Sequence, residues 1–424
     1  MAENRRTSLF PWHAAHGANI AKFHGWDMPL WYASGAKKEH LSVITAAGIF
    51  DTGHMGALSV TGRDAFHLLQ SCFTKDLERC LGGGKAPLTP GRCVYGVFLN
   101  ERGETIDDAI VYQLTSQDYL VIVNAGMAAA VGDHLQRYSA ARSAGVADVS
   151  EKMAKIDLQG PHSARILAKV LADGPALLRS MVYFSFKGTY EKAAGFSGVR
   201  LARARQILLS RTGYTGEFGF ELFVNPADAL EIWETLLEAG EEFGLLPCGL
   251  AARDSLRAGA VLPLSGQDIG SWPYINHPWL FALPFAEDGL TFTKQFIGDI
   301  VLQLREASDH TLAFVGFDPR KASIGDPALG IGSDGNEIGL ALTCVADLAI
   351  GRVNGAICSV ASPQRPQNFN PLGLCCGFAK VRSRLEPGTH VVLRDKRREI
   401  PVEIVKDIRP DRTARLPMKH FLGE

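Results

Sequence analysis

The pattern of apolar and polar positions predicts an antiparallel β-meander over residues 86–126. Residues 92–99 and 105–112 have the apolar-rich pattern of strands, and the polar turn between them ends in Gly103, which can adopt a positive φ. Residues 119–123 form a third apolar strand that ends at Asn124. Three strands joined by short turns are typical of a meander.

A strand, a glycine turn and an amphipathic helix follow one another twice along the chain. Residues 57–62 lead into a helix at 65–69, and residues 155–160 lead into a helix at 164–167. The repetition indicates either two related α+β halves or two unrelated units of the same kind. The sequence leaves both interpretations open.

The clearest single helix is predicted over residues 226–237. Leu230, Trp233 and Leu237 recur at helical spacing and share one face. Pro226 suits the first helical position, and Asn225 before it is a suitable N-cap.

From about residue 310 the pattern changes to short β segments separated by Gly and Pro. This spacing predicts a separate all-β C-terminal domain, either a barrel or a jelly roll. Cys375 and Cys376 are adjacent in one segment, so their side chains should point to opposite faces. The segments lie at residues 313–317, 350–353, 375–381, 390–393 and 400–405.

Length and composition indicate a globular protein of two to three domains. The chain has 424 residues, 46% of them hydrophobic, and its net charge of −1 gives no overall attraction to nucleic acid or an anionic membrane. The first residues lack the apolar core of a secretory signal, and no apolar stretch reaches membrane-span length. We therefore expect a soluble, cytoplasmic protein without nucleic-acid or membrane partners. The eight cysteines show neither zinc-binding spacing nor a disulfide framework.

The common nucleotide-binding and hydrolase motifs are absent from the sequence. It contains no P-loop, no Gly-x-Ser-x-Gly elbow, no His-Glu-x-x-His motif and no dinucleotide-binding fingerprint. Three other segments have compositions that are unusual for the elements they are predicted to form.

The first segment places two carboxylates, Asp107 and Asp108, inside an apolar strand. Strand alternation puts them on opposite faces, so one of them points where apolar side chains point. An unpaired buried carboxylate costs roughly several kcal/mol and therefore needs a partner or a ligand. The alternative is an Asp near a turn that caps backbone N–H groups, and the sequence does not decide between the two.

The second segment, residues 210–221, is rich in glycine. Gly213, Gly216 and Gly219 give a backbone that could bring Tyr214, Glu217 and Glu221 together around a ligand. The alternative is an ordinary glycine-rich hairpin.

The third segment, residues 249–257, is helix-like and places Arg253 and Arg257 four residues apart on one face. Two guanidinium groups in this arrangement suit a ligand that carries a carboxylate. The alternative is a surface helix with internal salt bridges.

Taken together, these segments resemble the glycine-cleavage T-protein (aminomethyltransferase) family. Residues 50–56 are similar to its Phe-Asp-x-Ser-His-Met-Gly element, and residues 99–108 match the segment that carries its catalytic aspartate. The ordered matches are residues 9–16, 23–30, 50–56, 99–108, 210–221 and 249–254.

The resemblance implies an α+β fold, a three-domain cloverleaf that encloses tetrahydrofolate in a central channel. Residues 1–150 would form the first α+β folate-binding region and residues 151–300 would complete the folate site. Residues 311–424 would form the C-terminal all-β barrel.

The resemblance also implies the roles of individual residues. Asp108 would be the catalytic carboxylate, and Glu221 would bind the edge of the pterin ring. The implied folate contacts are Tyr95, Asn124, Tyr183, Tyr214, Glu221, Arg253 and Arg415. No metal site is implied.

The implied reaction is transfer of an aminomethyl group from the lipoyl arm of an H-protein-like carrier to tetrahydrofolate. The products would be methylenetetrahydrofolate, ammonia and the reduced lipoyl group. The sequence departs from the family pattern at Ser265, where Tyr is common, and residues 334–354 look like an insertion. These departures leave the one-carbon donor open.

Two alternatives follow from the same resemblance. One is a tetrahydrofolate-dependent demethylase of a small S-, O- or N-methyl compound. The other is a non-enzymatic folate-binding protein that supports iron–sulfur or tRNA-modifying functions, but residues 261–268 lack the Lys-Gly-Cys-aromatic motif of that branch.

Overall fold

The computed structural model describes residues 4–82, 85–140, 142–190, 198–201, 205–304, 309–330, 336–395 and 397–423. Its N-terminal part alternates short helices and strands. In chain order these are α1 (Phe10–Ala15), β1 (Asn19–Phe23), β2 (Trp26–Trp31), α2 (Ala36–Thr45), β3 (Ala47–Asp51), β4 (Gly56–Thr61), α3 (Ala65–Cys72), β5 (Arg92–Leu99), β6 (Thr105–Gln113), β7 (Asp118–Val123), α4 (Ala128–Ser139) and β8 (Gly145–Asp148).

The middle part continues the mixed pattern, and the C-terminal part is almost entirely β. The middle elements are β9 (Ala154–Gln159), α5 (Ser163–Val170), α6 (Gly174–Arg179), β10 (Phe186–Gly188), β11 (Val199–Arg200), β12 (Gln206–Ser210), β13 (Gly219–Val224), α7 (Ala229–Gly240), β14 (Leu245–Pro247) and α8 (Leu250–Gly259). The C-terminal elements are α9 (Asp299–Leu304), β15 (His310–Gly316), β16 (Pro327–Gly330), β17 (Glu337–Asp347), β18 (Ile350–Val353), β19 (Ala356–Ser359), β20 (Leu374–Val381), β21 (His390–Arg394) and β22 (Glu399–Val405). Among the described helices, none is both long enough and apolar enough to cross a membrane.

The predicted meander forms the larger part of an antiparallel sheet. Within the described residues this sheet has five strands in the order β5-β6-β7-β4-β8. Gly103 in the β5–β6 turn has a φ of 72°, as the turn requires, and its N–H donates to the Asn100 carbonyl at 3.0 Å. Apolar side chains of the sheet, α3 and α4 form one core.

A second sheet contains strands from both halves of the chain. Its seven described strands run β10-β12-β13-β9-β3-β14, with β11 paired to β12. Strand β3, from the N-terminal part, pairs with β9 so that Phe50 lies opposite Asp157. On the other side of β9, Glu221 of β13 lies opposite Asp157. The first 150 residues therefore contribute strands to both sheets.

The repeated strand–glycine–helix pattern is present once in each sheet. Strand β4 leads through Gly62 into α3, and β9 leads through Gly160 into α5. Both glycines have positive φ, 112° and 118°. A Cβ at Gly160 would lie 2.7 Å from the carbonyl oxygen of Val43, so close backbone approach also requires glycine there.

The predicted helix at 226–237 begins as expected but turns a different face to the core. Asn225 caps it by accepting the Ala227 N–H at 3.0 Å, and a 3₁₀ turn (Pro226–Asp228) precedes α7. Trp233 is buried as predicted, whereas Leu230 is 45% exposed. Ile232 and Leu236, which the prediction omitted, are buried beside Trp233 instead.

The C-terminal part closes into a β-barrel, one of the two architectures predicted. The six described strands follow the order β15-β20-β17-β16-β21-β22. Cys375 and Cys376 point to opposite faces of β20 and belong to different apolar cores. The predicted segment at 350–353 is β18, which pairs with β19 in a separate hairpin rather than in the barrel.

The stretch 334–354, expected to be an insertion, contains a strand of the barrel itself. Residues 334 and 335 lie outside the described residues, but β17 pairs with both β16 and β20. A β-bulge between Ala341 and Thr343 interrupts its alternation. This irregularity explains why the sequence pattern did not predict the strand.

Candidate active site

Asp108 lies within β6, which has β5 on one side and β7 on the other in the five-stranded sheet. It faces the same side of the sheet as Tyr95 of β5, whose hydroxyl donates to Asp108 Oδ2 at 2.9 Å. Asn124 directly follows β7, and its Nδ2 donates to Asp108 Oδ1 at 2.5 Å. Two of the residues predicted as folate contacts thus hold the predicted catalytic carboxylate, one on each oxygen.

Asp107 points to the opposite face and is fully buried. The backbone N–H of Asn124 donates to its Oδ2 at 2.8 Å, and Asn124 Nδ2 donates to its Oδ1 at 2.8 Å. Asp107 therefore matches the second interpretation of this segment, in which an aspartate caps a backbone N–H group. One asparagine amide, with two hydrogens, serves both carboxylates.

The environment of the pair favours the protonated forms. Burial raises the pKa of Asp108, while the Tyr95 and Asn124 hydrogen bonds oppose the rise. Burial and then the neighbouring Asp108 carboxylate raise the pKa of Asp107. The Ser265 hydroxyl opposes the rise in the pKa of both groups. Because the donors on both carboxylates are neutral, a proton can stay on the pair at a pH above that for a free Asp.

Four charged side chains of alternating sign form a second buried cluster. Lys155 Nζ donates to Glu221 and, at 2.5 Å, to Asp157 Oδ1. Arg253 Nη1 donates to Asp157 Oδ2 at 2.9 Å. Although burial alone would raise it, Lys155 and Arg253 hold the pKa of Asp157 below its usual value. We call Glu221, Lys155, Asp157 and Arg253 the charge chain.

Glu221 and Arg253, both predicted to contact the ligand, are thus already engaged with protein side chains. Besides Lys155, the Glu221 carboxylate accepts hydrogen bonds from Thr212 and, at 3.4 Å, from Tyr112. The Arg253 guanidinium lies 4.7 Å from the centre of the Tyr214 ring, in a cation–π arrangement. Only Nη1 of Arg253 binds Asp157, so its other N–H groups are available to a ligand.

A cavity of about 140 Å³ lies between the carboxylate pair and the charge chain. Its lining includes Asp107 and Asn124 together with Arg253 and Tyr214. Three of the predicted folate contacts therefore share one cavity. The remaining lining residues are Phe23, His24, His54, Met55, Ile106, Ala125, Met127, Leu264, Ser265 and Gly266.

The glycine-rich segment forms the β12–β13 hairpin, and its glycines make room for a protein side chain. A Cβ at Gly213 or Gly219 would lie 2.1 Å or 2.6 Å from Gln159 Oε1. Gln159 in turn donates to the carbonyl groups of Thr212 and Phe220. The plain-hairpin interpretation is therefore the better description of these glycines.

The three side chains that this segment was expected to bring together have different partners. Tyr214 donates its hydroxyl to the Pro263 carbonyl, and Glu217 pairs with Arg409 at 3.1 Å. Only Tyr214 reaches the cavity. The expectation that Glu217 joins the ligand site is wrong, because the buried guanidinium of Arg409 holds it elsewhere.

The two arginines of α8 also have different surroundings. Arg253 reaches the cavity, whereas Arg257 is 1% exposed and pairs with Asp268 and Asp254. The surface-helix alternative is wrong, because Arg257 is buried, and only Arg253 of the two arginines lines the cavity.

Tyr183 and Arg415 form a separate pair. The Arg415 guanidinium carbon lies 5.8 Å from the centre of the Tyr183 ring, and Arg415 is exposed. Neither residue is among those that line the cavity. Their role as folate contacts stays a prediction.

The sequence analysis missed Lys155, Asp157 and His54. Lys155, Asp157 and Gln159 alternate along β9, whose six residues are all buried. Polar residues at every second position of an otherwise apolar strand were a usable signal for a buried polar face. His54 gave no such signal, because a single histidine after a strand has no periodicity.

Within the described residues, no cluster of His, Cys, Asp and Glu is suited to hold a metal ion. The side chains around the cavity instead offer hydrogen-bond acceptors, an aromatic face and a guanidinium group. Such a combination can bind an organic ligand with N–H donors on one side and a negative or aromatic group on the other.

Comparisons with known proteins agree with the geometry. A family model described as the GCVT N-terminal domain matches residues 9–272. An aminomethyltransferase of Geobacillus thermodenitrificans is 36% identical over 345 residues, which cover 80% of this chain and 86% of that protein. One of Streptomyces coelicolor is 42% identical over 269 residues, 63% of this chain and 66% of that protein.

The fold has a solved counterpart. The crystal structure of glycine cleavage system aminomethyltransferase T from Bartonella henselae superposes with a TM-score of 0.74 at 25% identity. The match covers 95% of this chain and 96% of that one.

Proposed function

The chain belongs to the glycine-cleavage T-protein (GCVT) family, and from this membership we propose how its residues bind the two substrates of aminomethyl transfer. It is a one-carbon transferase whose curated relatives are aminomethyltransferases. We propose that the acceptor is tetrahydrofolate, bound beside Asp108. The donor is an aminomethyl group on the lipoyl arm of an H-protein-like carrier.

The donor set of the cavity supports a folate ligand. The Asp107 carboxylate lines the cavity, and the Asp108 carboxylate shares Asn124 with it. Carboxylates accept hydrogen bonds, and the N–H groups of a reduced pterin donate them. The Tyr214 ring offers a face for stacking, and Arg253 has free N–H groups for a ligand carboxylate. A cavity of about 140 Å³ resembles one that holds a benzene-sized molecule, so it accommodates the reacting end rather than the whole folate.

Asp108 is the residue on which the proposal depends. When bound, tetrahydrofolate supplies the ring nitrogen that accepts the one-carbon unit. Asp108 is half-buried, and neutral donors fix both of its oxygens. The carboxylate is thus oriented without being neutralised by a cation, and it can accept an N–H of the ligand or hold a proton near it. Enclosure by the cavity excludes water from the transferred carbon.

The direct test is calorimetric titration with tetrahydrofolate combined with a turnover assay. We expect the wild-type protein to bind tetrahydrofolate, and Glu221→Gln to weaken binding about tenfold or more, because Glu221 holds Lys155 and, through Asp157, the orientation of Arg253 at the cavity. Asp108→Asn should retain binding but lower kcat by a factor of about 100 or more. Asp318→Asn, which changes an exposed carboxylate paired with Arg320, is the matched control and should leave both unchanged.

Three results would contradict parts of this proposal. A folded wild-type protein that does not bind tetrahydrofolate would rule out the folate site. Normal turnover by Asp108→Asn would show that the reaction does not need that carboxylate. Turnover of a small methylated compound, but not of the aminomethyl-lipoyl donor, would favour the demethylase alternative.

A further inference from the structure

His54 is a buried histidine in the cavity wall. It lies between β3 and β4, is 3% exposed, and lines the same cavity as Asp107, Asn124 and Arg253. The ring of Phe23 contacts it edge-on, with 5.5 Å between ring centroids. Packing therefore fixes the imidazole at the place where the reacting groups would meet.

The ring nitrogens of His54 have no hydrogen-bond partner within the described part of the chain. Its Nδ1 in particular is buried and unpaired. Leaving a buried polar group unpaired costs about 1–3 kcal/mol, so such a group calls for an explanation, of which a bound ligand is one. His54 is thus a hydrogen-bonding group without a partner at the edge of a substrate cavity.

The imidazole is neutral under physiological conditions. Burial, and then the charge of Arg253, lower the pKa of His54 to about 3. A neutral imidazole carries one N–H and one lone pair, so it can accept a hydrogen bond from an amine without adding a charge. Of the two histidines among the described lining residues, His24 is exposed, so His54 is the buried imidazole of the cavity.

The Asp107 carboxylate and the size of the cavity define the group that fits. An aminomethyl end, S–CH₂–N, is smaller than the benzene-sized space of about 140 Å³ and brings several N–H donors. His54 and Asp107, which line the same cavity, can each accept an N–H of such a nitrogen. A sulfur or carbon group has no N–H with which to satisfy His54.

Resting on the proposed function, we infer that His54 binds the amine nitrogen of the one-carbon donor, the atom that leaves as ammonia. The amine reacts in its protonated form. As the attacking nitrogen forms its bond to the carbon, the C–N bond to the amine breaks, its electron pair stays on the amine nitrogen, and ammonia leaves with the three hydrogens that it already carries. His54 accepts a hydrogen bond from that nitrogen before and after the step and neither gains nor loses a proton. Its contribution is to aim the leaving group away from the nitrogen that attacks.

The test uses the reverse reaction, in which ammonia is a substrate. The full-length protein is supplied with methylenetetrahydrofolate, reduced lipoamide and ammonium chloride, and the KM for each is measured. We expect His54→Phe to raise the KM for ammonia about tenfold, with the KM for methylenetetrahydrofolate within about twofold of wild type. His54→Gln restores a hydrogen-bonding side chain and should recover part of the loss.

His134 provides a matched control. It is also buried, with an unpaired Nε2 and a pKa that burial lowers to about 4, but it lines a separate surface recess with Arg137 and Tyr138. His134→Phe should therefore leave the KM for ammonia unchanged. Equal effects of the two substitutions would assign the loss to packing and overturn the inference.

A binding measurement separates the inference from the reaction. In protein labelled with ¹⁵N-histidine and saturated with tetrahydrofolate, ammonium should shift the His54 resonances and not those of His134. An unchanged KM for ammonia in His54→Phe, or an unmoved His54 signal, would overturn the role of His54. Failure of wild-type protein to consume ammonia would instead overturn the proposed function itself.

Discussion

Arg253 Nη1 donates a 2.9 Å hydrogen bond to Asp157 Oδ2, and the carboxylate that receives it is completely buried. Asp157 binds Lys155 through its other oxygen. A single carboxylate therefore holds both cations of the charge chain, one of which lines the cavity.

Asp157→Asn should weaken both the fold and the folate site. The substitution leaves Lys155 and Arg253 buried with one negative partner fewer, and we expect the free energy of unfolding to fall by about 3–5 kcal/mol. Folate affinity should fall as well, because Arg253 loses its fixed orientation. Urea unfolding and calorimetry at a temperature where the variant is folded measure the two effects. Normal folate affinity in the folded variant would show that Asp157 does not position Arg253.

The pH profile of turnover should report the carboxylate pair. Because burial raises the pKa of Asp108, kcat/KM should fall on the acid side at a higher pH than for an ordinary Asp, as the carboxylate becomes protonated. Asp107→Asn removes the adjacent negative charge and should move this acid limb to lower pH by about 0.5 unit or more.

Ser265→Ala should move the acid limb of the kcat/KM profile to higher pH, opposite to the shift expected for Asp107→Asn. Its hydroxyl lowers the pKa of both carboxyl groups, so its loss favours the protonated forms at higher pH. The pH profiles of kcat/KM for the wild type and the two variants, measured under identical conditions, test the direction of both shifts. Shifts of the same sign in Asp107→Asn and Ser265→Ala would contradict the electrostatic account.

Acid should loosen the contact between α2 and the barrel. His40 of α2 bonds to Asp347 of β17 at 2.9 Å, and Arg409 binds the other oxygen. Although burial alone would raise it, Arg409 and His40 hold the pKa of Asp347 well below its usual value. The stabilisation is therefore complete above about pH 4 and is lost as pH falls below the unfolded-chain value.

Asp347→Asn tests this contact directly. The variant should be less stable than wild type by about 3–5 kcal/mol at pH 7, and the difference should narrow as pH falls below about 4. Urea unfolding at several pH values measures it. A difference that stays constant down to pH 3 would mean that the ionised carboxylate is not what stabilises this contact.

Gly219→Ala should destabilise the protein through Gln159. The new Cβ would lie 2.6 Å from Gln159 Oε1, which forces that side chain away from the Phe220 carbonyl. We expect a loss of about 1–3 kcal/mol in the free energy of unfolding. In a Gln159→Ala background, Gly219→Ala should lower the free energy of unfolding much less, because the clash with the Gln159 side chain is gone. If the losses in free energy of unfolding of the two single variants simply add in the double variant, a clash with Gln159 does not explain the glycine at 219.

The sequence by itself determined the parts of the molecule that depend on local contacts. Alternation, Gly103 and short turns defined the β5–β7 meander, and Asn225 with Pro226 defined the start of its helix. The group of Asp108, Tyr95 and Asn124 belongs to the same category. Tyr95 and Asp108 lie within β5 and β6, and Asn124 directly follows β7. These three strands are neighbours both along the chain and in the sheet.

Only the tertiary structure decided which buried charges meet. Asp157 and Arg253 are 96 residues apart, and His40 and Asp347 are 307 residues apart. The partners come from different strands and helices, and no periodicity in one segment specifies the charge that another segment brings to it. Long-range ion pairs depend on how sheets and barrel pack against one another, so the sequence showed which residues were unusual and the fold showed what they bind.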